Sequence, residues 1–107
     1  MISNLDWDKQ NGLIPAIIQH DKTMEVLMLG YMDREALDLT LKTKQCHFYS
    51  RTRNKLWLKG ETSGNFLNLV SISKDCDNDA LLVRVLPYGV VCHTGNPSCF
   101  TDNYKNA

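Results

Sequence analysis

Neither sign of charge is in excess in this 107-residue chain: twelve Lys and Arg side chains balance twelve Asp and Glu, for a formal net charge of zero. Proteins that grip duplex nucleic acid by neutralising phosphates carry a basic surplus, so a nucleic-acid partner is not expected. Long apolar runs are missing too. No segment approaches the roughly 20 residues needed to cross a bilayer. The opening Met1-Ile2-Ser3-Asn4-Leu5-Asp6 lacks the basic start and apolar stretch of a signal peptide. A soluble cytoplasmic protein with no membrane partner is expected. Cysteine is scarce: Cys46, Cys76, Cys92 and Cys99 are too few for a disulfide scaffold, and a reducing compartment keeps them as thiols. Their value must then lie in burial, reactivity or metal binding. There is no low-complexity linker, repeat or break in composition, so residues 1–107 read as a single domain.

What is present is ordinary for a folded domain, with 43% hydrophobic and 22% charged residues. Residues 13–20 and 24–29 predict two strands around a turn at Asp21-Lys22-Thr23. Asp33 is placed to cap a helix over 34–43, with Glu35 in its first turn and Lys42 and Lys44 at its end suiting the dipole. Ala36, Leu37, Thr40 and Leu41 form its apolar face, which Leu39 does not join. The aromatic-rich runs 46–50 and 55–58 flank Arg51-Thr52-Arg53-Asn54 as a second hairpin. Phe66 to Ser73 and Ala80 to Leu86 are two further strands around an acidic cluster. The sum is an α+β fold, a β-rich mixed or antiparallel sheet with one main helix in a β-grasp-like roll.

Three groups of residues can carry chemistry. In Asp75-Cys76-Asp77-Asn78-Asp79 the carboxylates alternate, so an extended backbone puts them on one face and Cys76 on the other. Hard oxygen donors suit magnesium or calcium, and a solvated acidic turn has the same composition. An EF-hand is excluded, because the glycine needed at the sixth position is Ala80 and the glutamate at the twelfth is Leu86. In Cys92-His93-Thr94-Gly95-Asn96-Pro97-Ser98-Cys99, two thiols and an imidazole on a turn can gather around zinc. Small buried cysteines give the same pattern. The zinc deaminase signature, His-x-Glu with Pro-Cys-x-x-Cys, is absent. The third group is cationic: Arg51, Arg53 and Lys59, with the glycine-flanked Thr62-Ser63, can hold phosphate through charge and backbone N–H groups. It is not a Walker loop. His20, His47 and Cys46 read as structural, and Tyr49 and Trp57 as core aromatics.

Together these motifs are more specific than any one of them. Tyr31-Met32-Asp33-Arg34-Glu35-Ala36-Leu37, HFYSRTR at 47–53, LWLKGETSG at 56–64, DCDNDALL at 75–82 and CHTGNPSCF at 92–100 resemble the phosphoribosyl-AMP cyclohydrolase family of histidine biosynthesis. The similarity runs from about Gly12 to Phe100. Leu58 and Asn65 depart from residues that many relatives carry there. The resemblance implies a hydrolase that opens the adenine ring of phosphoribosyl-AMP at the N1–C6 bond with zinc-activated water. It implies an intertwined homodimer with one zinc per subunit, shared across the interface, and a magnesium ion beside it. Carried over by position, Cys76 of one subunit with Cys92 and Cys99 of the other would hold zinc, and Asp75, Asp77 and Asp79 magnesium. His93, beside a ligand, is then the candidate base. Arg51, Arg53, Lys59, Thr62 and Ser63 would grip phosphate or ribose. Some relatives carry a second domain after the Ser-Cys-Phe ending, so this chain reads as a monofunctional form. A non-catalytic, zinc-dependent dimeric binding module is the alternative.

Overall fold

The computed structural model describes residues 2–106. Six strands and one helix follow in the order β1 (Ile14–His20), β2 (Val26–Met32), α1 (Arg34–Thr43), β3 (His47–Ser50), β4 (Lys55–Leu58), β5 (Leu67–Lys74) and β6 (Leu81–Pro87). Four strands form one sheet in the order β2-β1-β6-β5, and β3 pairs with β4 in a separate hairpin. The central pair, β1 with β6, is parallel, with Ala16 opposite Leu81, and its two neighbours are antiparallel. The expected α+β class, mixed sheet and single helix are all present.

Strand alternation decides which sheet face is covered. Ile14, Ala16 and Ile18 of β1 and Leu81, Val83 and Val85 of β6 are buried, joining Leu27, Met32, Phe48 and Leu67 in one core. On the opposite face Leu29, Ile17 and Leu82 pair in register across three strands. They stay 47%, 37% and 36% exposed, an apolar row left open to solvent.

The helix forms where its caps require. The Asp33 carboxylate accepts from the Ala36 N–H at 2.8 Å, and Lys44, at φ +65°, returns its N–H to the Thr40 carbonyl. Thr40 is fully buried; its hydroxyl donates to the Ala36 carbonyl and accepts from the His47 N–H at 2.9 Å, tying α1 to β3. The strand expected from residue 24 starts at Val26 instead, because Met24 adopts φ +66° and prolongs the turn. His20 Nδ1 accepts from the Lys22 N–H, and His47 Nδ1 bonds the Gln45 carbonyl, the structural roles expected of both.

Cys46 lies wholly inside the core, and burial pushes its thiol from 9.0 up to about 12. The unfolded thiol loses its proton above pH 9 while the folded one keeps it. Folding stability should therefore fall between about pH 9 and 12, by up to about 1.4 kcal/mol per pH unit from this group. Urea melts of the wild type and Cys46→Ala across that range should diverge in slope; parallel curves would contradict the assignment.

An N-terminal segment straps the β5–β6 turn. The Asp6 N–H donates to the Asn78 carbonyl at 2.7 Å, Lys9 Nζ meets Asp79 Oδ2 at 2.8 Å, and Lys74 Nζ reaches the Ser3 carbonyl. Among the described residues, no helix is long and apolar enough to cross a membrane.

Candidate active site

A cleft of about 920 Å³ opens between β2, the β3–β4 hairpin, the 59–65 loop and the 90–95 segment. Ligand sites commonly fall in this size range. Its walls include Arg51, Arg53, Lys59, Thr62, Ser63, Cys92 and His93. Seven of the twelve candidate residues thus share one concavity, although they are up to 42 positions apart in sequence.

The hairpin tip supplies the cations. The Arg51 guanidinium stacks on the Tyr31 ring at 3.9 Å from its centroid, which aims the charge along the cleft wall. Tyr49 and Asn54 hydrogen-bond across the tip. Trp57 packs at 5.4 Å on the buried Phe48 ring, and Phe48 in turn lies on Gly30. A Cβ at Gly30 would come within 2.6 Å of that ring, so only glycine fits this strand position without a shift.

Beyond β4 the chain reverses at Gly60, φ +95°, where a Cβ would lie 2.7 Å from the Asn65–Phe66 backbone. The following turn closes with Gly64 N–H on the Gly60 carbonyl at 2.7 Å, leaving Thr62 and Ser63 exposed at its crest. Lys59 points elsewhere: Nζ donates to the Val91 carbonyl at 2.6 Å and lies 5.9 Å from the Trp57 centroid.

The 92–99 loop closes on itself at its start and is pinned to β2 at its end. Cys92 N–H bonds the Asn96 carbonyl at 3.0 Å, and Cys99 N–H bonds the Leu27 carbonyl at 2.7 Å. Ser98, buried, donates its hydroxyl to the Val26 carbonyl at 2.8 Å. The Thr94 hydroxyl, 3.0 Å from Cys92 Sγ, holds that thiol below the usual cysteine range, with the Lys59 ammonium adding in the same direction. Burial raises Cys99, and the neighbouring Cys92 sulfur raises it further.

Cys76 and the acidic cluster lie elsewhere, on the β5–β6 turn. Cys76 is exposed, 3.7 Å from Asp77 Oδ1. Asp75 Oδ1 accepts from the N–H groups of Asp79 and Ala80 at 3.0 and 3.2 Å, and the Lys9 ammonium holds the Asp79 carboxyl below its ordinary range. Among the described residues, no three His, Cys, Asp or Glu side chains of one chain converge as a metal site. Sequence reasoning did not single out Tyr31, Glu61 or Ser98. Tyr31 and Glu61 sit inside recognisable motifs and line the cleft, whereas nothing local marks Ser98 as the anchor of a loop to β2.

Comparison with known proteins accords with this arrangement. The family model described as phosphoribosyl-AMP cyclohydrolase matches residues 28–101. The histidine biosynthesis bifunctional protein HisIE of Shewanella oneidensis is 61% identical over 100 residues, 94% of this chain and 47% of that protein. Its counterpart from Escherichia coli is 61% identical over 98 residues, 92% of this chain and 48% of that protein. The protein of that name from Photobacterium profundum is 54% identical over 103 residues, 96% and 50% of the respective lengths. The chain spans about half the length of the curated relatives it matches. With the match running from Met28 within β2 through the 92–99 loop, and so across the whole cleft, this chain belongs to the phosphoribosyl-AMP cyclohydrolase family.

Proposed function

We propose that this chain opens the adenine ring of phosphoribosyl-AMP by hydrolysis of the N1–C6 bond, a step of histidine biosynthesis. The observation that carries the reading is the single cleft that gathers the cationic hairpin, the Thr62-Ser63 turn, Cys92 and His93. Arg51 and Arg53 at one wall and the exposed amides and hydroxyls of Thr62 and Ser63 at another suit a substrate with a phosphate at each end. The adenine ring then lies near Cys92 and His93. His93 takes a proton from the attacking water; the water oxygen bonds to C6, the C6–N1 bond breaks, and the proton passes to N1.

Cys92 and Cys99 supply two soft donors, one at each end of the same loop, which fits half of a zinc site. The third donor in this reading is Cys76 of a second copy, which its exposure and its distance from the cleft walls allow. Zinc, when bound, lowers the pKa of a water and polarises the carbon under attack. The open Leu29–Ile17–Leu82 row supplies an apolar surface for such a homodimer. Magnesium at Asp75, Asp77 and Asp79 has to displace the Lys9 ammonium from Asp79 Oδ2. The reducing compartment that thiolate ligands need is the cytoplasm.

The test is a spectroscopic ring-opening assay on phosphoribosyl-AMP with metal analysis of the same protein. Turnover should vanish on chelation and return with zinc. A folded, zinc-loaded dimer that never opens the ring would instead indicate a non-catalytic binding module.

A further inference from the structure

We infer that Lys59 is a positioning residue that orients the Cys92 arm of the site through the Val91 carbonyl, rather than a contact to substrate phosphate; this rests on Cys92 acting as a metal ligand. The Val91 carbonyl and the Cys92 N–H belong to one planar peptide unit. That plane is held from both sides, by Lys59 Nζ on its oxygen at 2.6 Å and by the Asn96 carbonyl on its N–H at 3.0 Å. Fixing the plane sets the N–Cα axis of Cys92, and the Gly95 N–H on the Cys92 carbonyl at 2.9 Å limits rotation about it, so the Cα–Cβ bond is directed.

The hold itself has a rigid base. Lys59 leaves the end of β4 with its own N–H on the Cys46 carbonyl at 3.1 Å, and Cys46 is fully buried. Gly60 follows at φ +95°, so close to the Asn65–Phe66 backbone that a Cβ would lie 2.7 Å from it. Val91 is 3% exposed, so water does not readily replace the ammonium on its carbonyl. At its far end the loop is fastened independently, by Ser98 and Cys99 on the Val26 and Leu27 carbonyls. Lys59 is thus the cleft-side fastening of a loop whose other end belongs to the sheet.

The experiment compares Lys59→Met and Lys59→Arg with wild type in three measurements. These are cobalt titration of the metal-free protein followed by thiolate charge-transfer absorption, amide hydrogen exchange at Cys92 and Gly95 without metal, and steady-state kcat and KM at two salt concentrations. Lys59→Met should weaken cobalt binding by about 10–100-fold, as loss of a group behind a ligand does. It should also speed exchange at Cys92, and lower kcat while leaving KM near the wild-type value. Lys59→Arg should restore most of the cobalt affinity, because a guanidinium can donate to the same carbonyl. Unchanged cobalt affinity and exchange, with a raised and salt-dependent KM, would overturn the inference in favour of a phosphate contact. A wild type that binds no cobalt would refute the metal reading, and exchange at Cys92 would still decide whether Lys59 holds the loop. If Lys59→Met does not fold, Lys59→Gln serves in its place.

Discussion

Cys92→Ser should lower ring-opening turnover by about three orders of magnitude or more. Metal activation contributes several kcal/mol, and each ~1.4 kcal/mol is a factor of ten in rate. Cys99→Ser and Cys76→Ser should do the same, while His93→Ala should lose turnover and keep its metal. Mixing inactive subunits then makes a sharper measurement. If the partner's Cys76 completes each site, a Cys76→Ser subunit paired with a Cys92→Ser subunit contains one intact site and one doubly altered site. Random reassortment should therefore recover about a quarter of wild-type activity, since half the dimers are mixed and each has one working site. Sites built within one chain would show no recovery, and that result would remove the shared-ligand assignment. The proposal draws on the exposed Cys76 and on the absence, among the described residues, of a three-ligand cluster inside one chain.

The second large effect lies beneath the cleft floor. Phe48 is fully buried, its ring tilted against that of Trp57 and seated on Gly30. Phe48→Ala should cost about 3–5 kcal/mol by transfer and cavity terms. For a domain of this size each kcal/mol corresponds to a melting-temperature shift of about 4–8 °C. Gly30→Ala forces a methyl to 2.6 Å from the same ring and should cost about 1–3 kcal/mol by itself. In the double variant that methyl occupies the space the ring vacates. The combined loss should thus be smaller than the sum of the two, as shown by denaturant melts of all four proteins. Additive losses would mean that the strand relaxes away from the ring, and that Gly30 is not held to glycine by Phe48.

The parts of the fold legible in the sequence were those set by neighbours along the chain. Helix 34–43 needed only the Asp33 cap, the acid and base at its ends and the 36, 37, 40 spacing, and the structure matches both limits. The hairpin around Arg51 to Asn54 was visible in the same way. The start of β2 was missed because the left-handed Met24 has no glycine or asparagine to announce it. The strand order was not readable at all, since the parallel union of β1 with β6 depends on packing across the core. Similar reasoning separates the site residues. The types and motifs around 51–64 and 92–99 indicated the cleft, whereas the Lys59–Val91 and Ser98–Val26 contacts join residues 32 and 72 positions apart. No local pattern encodes such pairs.

That central parallel union has a consequence for biogenesis. During synthesis β1 emerges early and β6 late, yet β1 sits between β2 and β6 in the finished sheet. Until residues 81–87 leave the ribosome, the β1 edge that takes β6 stays unpaired, the kind of surface that invites wrong pairing. Closing so long a loop before its contacts are rewarded places this domain among the slower folders for its length. Nascent chains stalled with residues 81–87 still inside the ribosome should therefore rely on chaperones, while those stalled with Pro87 outside it should not.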